Sequence, residues 1–226
     1  MNKIIFTGNY DNCKIGNTIA ISGDKGKSVG YSGNSFTKLA PKLSFWKVWH
    51  NNIGKIDELE NNRFYIREFY NKVLKDLDPE EVLMQIPDKS ILLCFEDNDK
   101  FCHRHLVAFW LELFLGINTY EIKTDEKTQM AIKLDRPEYL KKELEKVIKK
   151  SYNMAGFNSI RAAYLFHQAD ELERIYEEQA EIWMKEIGSI PSSGSSPCDI
   201  MVEAASLRLE ADEEEERYKT YVKTCK

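Results

Sequence analysis

Cys94 and Glu96 stand two residues apart at the end of Ser90-Ile-Leu-Leu-Cys-Phe-Glu96, and after five residues the chain continues Cys102-His103-Arg104-His105. A thiol beside His and Arg at the start of a helix is favoured as thiolate, because the dipole and the neighbouring cation both stabilise negative charge. Cys102 is therefore a candidate nucleophile, with His103 and Glu96 as candidate acid–base partners. Arg104 is a candidate clamp for phosphate or carboxylate. A structural alternative explains the same residues: two small buried cysteines, a histidine satisfied by Glu96, and an arginine in an ion pair. Cys94, Cys102, His103 and His105 could also be read as metal ligands. That spacing lacks the CxxC or HxxxH pattern of familiar zinc sites, and neither a metal nor another cofactor is expected.

The elements around these residues follow from periodicity. Ser90 to Glu96 has strand length, with Cys94 and Glu96 on one face near its carboxyl end, and the apolar residues from Leu106 recur at helical spacing until Gly116. The arrangement is strand, loop, helix, which in open α/β sheets places ligands at the carboxyl ends of strands. Short strands are predicted over 3–7, 18–22, 119–123 and 129–134, with a turn into a short helix over 39–49 and a helix over 62–77. Asp78-Pro79-Glu80-Glu81 is a helix start, with Asp as N-cap and Pro in the first turn. From Pro137 onward the pattern is amphipathic and helical, interrupted by the Gly/Ser/Pro-rich stretch 188–197. The expected fold is α/β, a small mainly parallel sheet with flanking helices over 1–135, followed by a helical hairpin over 136–226. The glutamate run 213–216 is expected to be a solvated helix surface.

The 226 residues are 42% hydrophobic and 12% aromatic, enough for a core, and no apolar run approaches membrane-spanning length. Five scattered cysteines without a CxxC suit reduced thiols and a cytoplasmic location rather than a disulfide framework. The net charge of −5 is uneven: Met1 to Ile56 carries eight lysines against Asp11 and Asp24, a net of +6 that leaves −11 for the remainder. That balance suits a small anionic ligand better than extended duplex DNA. Gly26-Lys27-Ser28 is not a P-loop, because Ile21 stands where the first glycine belongs and no helix follows. Tyr10, Tyr31, Trp46 and Trp49, among nearby lysines, could stack a base, although core packing explains them as well. His50 and His167 have no visible chemical partner and are expected to be structural.

Leu93-Cys94-Phe95-Glu96 with Phe101-Cys102-His103-Arg104-His105 resembles the signature of the domain of unknown function 488 family, found in bacteria and their phages. The resemblance continues through Phe6-Thr7-Gly8-Asn9, Ile19 to Ser22, Tyr31, Leu39-Ala40-Pro41, Tyr70 and Leu77 to Glu81, and covers roughly the first 125 residues. It implies a compact α/β domain with a clustered Cys/His/Arg/Glu site and confers no activity. Thr7, Gly8, Asn9, Ser22 and Tyr31, in these shared segments, are expected to join Arg104 as ligand contacts. The expected function is binding of a small anionic, nucleotide-like ligand, with thiol-based processing through Cys102. The rival is a non-catalytic binding protein whose residues 136–226 serve oligomerisation or a protein partner.

Overall fold

The computed structural model describes residues 3–13, 16–125, 127–128, 130–186 and 197–224. The chain divides into two compact units, Met1–Ser151 and Tyr152–Lys226. The first is built on a six-stranded sheet of β1 (Ile5–Asn9), β2 (Thr18–Ala20), β3 (Asn34–Ser35), β4 (Ile91–Cys94), β5 (Thr119–Thr124) and β6 (Ala131–Leu134), in the order β3-β2-β4-β1-β5-β6. All neighbours are parallel except β5 and β6. Every residue of β4 is buried, as a central strand covered on both faces requires, and this explains its unbroken apolar run.

Three helices precede β4: α1 (Leu43–Asn52), α2 (Glu58–Phe69), which continues through a wider turn over Tyr70–Leu74, and α3 (Pro79–Gln85). The caps are local in sequence: Asp57 accepts from the Glu60 amide and Asp78 from the Glu81 amide, both at 2.9 Å. α4 (His103–Leu115) follows β4 and ends at Gly116, whose φ of 64° closes the helix in a left-handed turn. From β1 the chain passes over β4 to reach β2, and from β4 it passes over β1 to reach β5. Connections that leave in opposite directions open a crevice beyond the ends of β1 and β4, where Asn9 and Cys94 are register partners.

α5 (Tyr139–Ser151) buries Leu140, Leu144 and Ile148 and packs against α2 and α4. It belongs to the α/β unit, so the division falls after residue 151 rather than after 135. The second unit is the pair α6 (Ile160–Glu186) and α7 (Pro197–Thr224), packed against each other through small residues including Ala162, Ala163, Ala204 and Ala211. The connecting stretch that the sequence marks as a loop lies outside the described residues, apart from Pro197 at the start of α7. The run 213–216 is not wholly solvated. Glu215 is buried and accepts from the amides of Asn158 (2.8 Å) and Ser159 (2.9 Å), so it caps α6 from the other helix. Among the described residues, no helix is long and apolar enough to cross a membrane.

Gly8 in β1 marks a close approach. A Cβ there would lie 2.3 Å from Cys13 Sγ and 3.0 Å from the Ile122 carbonyl, and the Cys13 thiol is itself held to that carbonyl at 3.1 Å. Gly8→Ala is therefore expected to destabilise the α/β unit by about 1–3 kcal/mol, the usual cost of overpacking. A shift in the urea midpoint measures it; an unchanged midpoint would show that Cys13 yields freely.

Candidate functional site

β4 ends at Cys94, and the loop after it returns the chain to α4 with Cys102 as its N-cap residue, in extended conformation. This places both cysteines and His103 in one cluster, with their ligand-capable atoms within 4.8 Å of one another. His103 Nε2 lies 3.1 Å from the Ile21 carbonyl at the end of β2. A carbonyl only accepts, so Nε2 carries the proton and Nδ1 is free to exchange one. Nδ1 lies 3.5 Å from Cys94 Sγ, and Cys94 Sγ lies 3.6 Å from Glu96 Oε2. The ring also packs edge-on against Phe69, which limits its rotation.

The electrostatics separate the two thiols. Burial pushes the Cys102 thiol up, but the Cys94 thiol bonded to it, the Arg104 charge and His103 together outweigh burial and hold it well below the ordinary thiol range. Burial disfavours the charged form of His103 as well, yet its hydrogen bond to Cys102 and the thiolate charge raise it above the usual imidazole value. Burial, followed by the hydrogen bond to Cys102 and that residue's charge, pushes Cys94 well above the thiol range. Burial and then the Cys102 charge push Glu96 up to about 7. These shifts favour a Cys102 thiolate beside a His103 imidazolium, with Cys94 kept as a thiol.

The cluster lies at the wall of a cavity of about 860 Å³. Trp46, Trp49 and His50 from α1, Tyr65 from α2, and Phe95 and Phe101 from the loop between β4 and α4 contribute aromatic surface. Trp49, Tyr65 and Phe101 contact one another at centroid distances of 5.0–5.3 Å, and Trp46 stacks on His50 at 4.8 Å. Ser22, Gly23, Asp24 and Ser28, from the glycine-rich stretch after β2, supply much of the polar lining.

That stretch is organised around its own aspartate. Asp24 Oδ1 accepts from the Gly26 amide (2.9 Å) and the Ser22 hydroxyl (2.8 Å), and Oδ2 from the Ser28 amide (3.1 Å) and hydroxyl (2.6 Å). Burial acts to raise its pKa, but these donors outweigh it and bring the carboxyl to about 2. Gly26 takes φ 73°, and a Cβ there would fall 2.7 Å from the Tyr10 ring, so glycine is required.

Of the residues expected at the site, Cys102, His103, Glu96 and Ser22 line this cavity. Arg104 is placed elsewhere. Its fully buried guanidinium donates through Nη2 to Glu121 Oε1 (2.9 Å), through Nε to both Glu121 oxygens and through Nη1 to the Glu96 carbonyl (2.7 Å), so it is committed to an internal pair rather than to a ligand. Thr7 donates to Glu121 Oε2 at 2.5 Å and belongs to the same buried network. Gly8 abuts Cys13, and Asn9 holds the turn at Asn12 and reaches Asp97 at 3.2 Å. Tyr31 packs at a tilt against Tyr10, with ring centroids 5.4 Å apart, and its hydroxyl donates to the Thr18 carbonyl at 2.8 Å. These four do not line the cavity.

Cys94, read from the sequence as a small buried residue or a metal ligand, is in contact with His103 and Glu96, and Glu121, which no sequence motif singles out, is the partner of Arg104. Parity along β5 places Glu121 on the same face as Thr119, which is also buried, but nothing in the sequence pairs it with Arg104. His50, expected to be structural, is part of the cavity wall. His167 lies in the second unit, within 2.7 Å of the Asn153 carbonyl. Cys94, Cys102 and His103 are also the donor set that could hold a thiophilic metal. Compared with protein-family models, with curated proteins and with solved structures, the chain matches none.

Proposed function

We propose that this protein binds a small nucleotide-like ligand in the aromatic cavity and processes it through Cys102. The observation that carries this reading is the orientation of His103. With Nε2 tied to the Ile21 carbonyl, Nδ1 lies 3.5 Å from Cys94 Sγ, and the imidazole and both thiols form one cluster within 4.8 Å at the wall of a cavity large enough for a ligand. With the proton already on His103, the Cys102 thiolate Sγ forms a bond to an electrophilic carbon of the ligand. The bond from that carbon to its leaving group breaks, and the proton held by His103 goes to the leaving group. Water then attacks the same carbon and releases the thiolate, with the Glu96 carboxylate taking the water proton. Arg104 acts through the cluster as a buried cation that favours thiolate. It does not clamp the ligand, so any phosphate extends out of the cavity. Membership of the domain of unknown function 488 family is part of this proposal and rests on the Cys94/Glu96 and Cys102 to His105 residues that form the cluster.

The test is the alkylation rate of each cysteine in the folded full chain across pH, with and without chelator, read by mass spectrometry. Cys102 is expected to react with iodoacetamide as a thiolate at a nearly constant rate from pH 9 down to below pH 7. An ordinary thiol, with pKa near 8.5, would slow about tenfold per unit over the lower part of that range. Cys102→Ser should remove the adduct while leaving the fold intact. If Cys102 is inert until unfolding, the nucleophile is lost from the proposal; if it reacts only after chelation, the trio holds a metal instead.

A further inference from the structure

From the charge and donor pattern of the cavity we infer that the group it accepts is an uncharged, flat nitrogen heterocycle bearing an exocyclic amino group, and not a phosphate. The inference rests on the cavity being the ligand site proposed above, and names the class of ligand that site takes.

Phosphate sites need cations or free amides. The lining residues include two carboxyl side chains, Asp24 and Glu96, and neither a lysine nor an arginine, and the one cationic group, the His103 imidazolium, is matched by the Cys102 thiolate beside it. The glycine-rich stretch could have served as an amide cradle, but the amides from Lys25 to Tyr31 are already used. The Gly26 and Ser28 amides go to Asp24, those of Lys25 and Lys27 to the Ser22 and Asp24 carbonyls, and those of Gly30 and Tyr31 to the Lys27 and Gly26 carbonyls. Asp24 occupies the position an anion would take, and its charge repels another one.

The same bonds set what the wall offers. The Ser22 and Ser28 hydroxyls donate to Asp24, and the Trp49 indole N–H donates to Asn62 at 3.0 Å. His103 Nε2–H is held by Ile21. The Ser22 oxygen is itself filled by the Gly26 amide (3.1 Å) and the Tyr10 hydroxyl (2.7 Å), so what remains toward the cavity from these groups is the acceptor capacity of the Ser28 hydroxyl and the Glu96 carboxyl. A carboxyl group recognises an exocyclic amino group of a base, and the half-buried Trp46 and Trp49 supply faces on which a flat ring stacks irrespective of its sequence identity. An aliphatic ligand would leave those acceptors unpaired, and an acidic one would face two carboxyls.

The experiment titrates the full chain with cytidine, uridine, adenosine, inosine, adenosine monophosphate and inorganic phosphate, read by calorimetry and by tryptophan emission. Adenosine or cytidine is expected to bind at least tenfold more tightly than the counterpart that lacks the amino group, inosine or uridine. The monophosphate should bind no more than about threefold more tightly than adenosine, and inorganic phosphate should neither bind nor compete. Trp46→Ala, at a half-buried ring stacked on His50, should weaken adenosine or cytidine tenfold or more. A monophosphate tenfold tighter than its nucleoside, competition by phosphate, or no binding of any nucleoside at millimolar concentration overturns the inference. Cys102 alkylation is followed in parallel. A reactive thiolate without nucleoside binding removes the ligand class and leaves the thiol chemistry; nucleoside binding with an inert Cys102 does the reverse.

Discussion

Arg104→Met is expected to destabilise the α/β unit by about 3–5 kcal/mol, the cost of stranding one partner of a buried ion pair. Arg104 and Glu121 are both excluded from solvent, and Glu121 also takes the Thr7 hydroxyl, so removing the guanidinium leaves a carboxylate with one neutral donor and no water. The loss is readable from the urea transition followed by tryptophan emission, because three of the four tryptophans lie in this unit. Arg104→Met combined with Glu121→Leu should recover most of it, since no unpaired charge then remains. A cost below about 1 kcal/mol for the single variant would mean that water reaches Glu121.

The variant should also respond to pH through His105, whose Nδ1 lies 3.6 Å from Glu121 Oε2 and whose ring nitrogens have no hydrogen-bond partner. Burial, and then the Arg104 charge, hold His105 to about 3, so it is neutral in the intact protein near neutrality. Without Arg104 that imidazole can protonate beside Glu121. A group whose folded pKa rises contributes its stability at low pH and loses it as pH rises, so the deficit of Arg104→Met should shrink as pH falls below about 6.

His103→Gln is expected to raise the pH at which Cys102 becomes reactive by about 1–3 units, the usual effect of a neighbouring opposite charge. Glutamine can still donate to the Ile21 carbonyl but cannot hold a proton as imidazole does. In the intact site Cys102 is depressed, so its thiolate is present above its folded pKa and is lost as pH falls through it. His103 is raised, so the imidazolium partner persists above its ordinary value and is lost as pH climbs through the raised one. Between these limits the pair is fully formed, and at pH 6 the variant should alkylate at least tenfold more slowly. Cys94→Ser, which retains a donor toward Cys102, should shift the profile much less. Equal profiles for the intact protein and His103→Gln would show that Arg104 and the helix end alone hold the thiolate.

The part of the site that was legible beforehand is the part that is local in the chain. Cys94 at the end of a buried apolar strand, a short polar turn, and Cys102-His103 opening a helix follow from periodicity and helix-start chemistry, and the structure assembles them as read. The Asp78-Pro79 helix start, the Gly116 stop and the α/β class were equally accessible, since each depends on residues within one or two turns of each other. Helix boundaries moved: α2 begins at Glu58 because Asp57 caps it, four residues before the apolar stripe becomes visible.

The role of Arg104 was not legible, because its residue type suits both an anion clamp and a buried pair, and the choice depends on Glu121, seventeen residues away on another strand. The glycine- and lysine-rich stretch after β2 shows the same dependence. Its sequence rules out a P-loop without saying what the loop does, whereas the folded loop gives its Gly26 and Ser28 amides to Asp24 and lines the cavity. By itself the amino-acid sequence determined the elements, the class of fold and the chemistry available at the end of β4, since these follow from short-range periodicity and caps. Only the tertiary structure decided which charge meets which, because burial and pairing between segments 17 to 114 residues apart set whether a group is a donor, an acceptor or already spent.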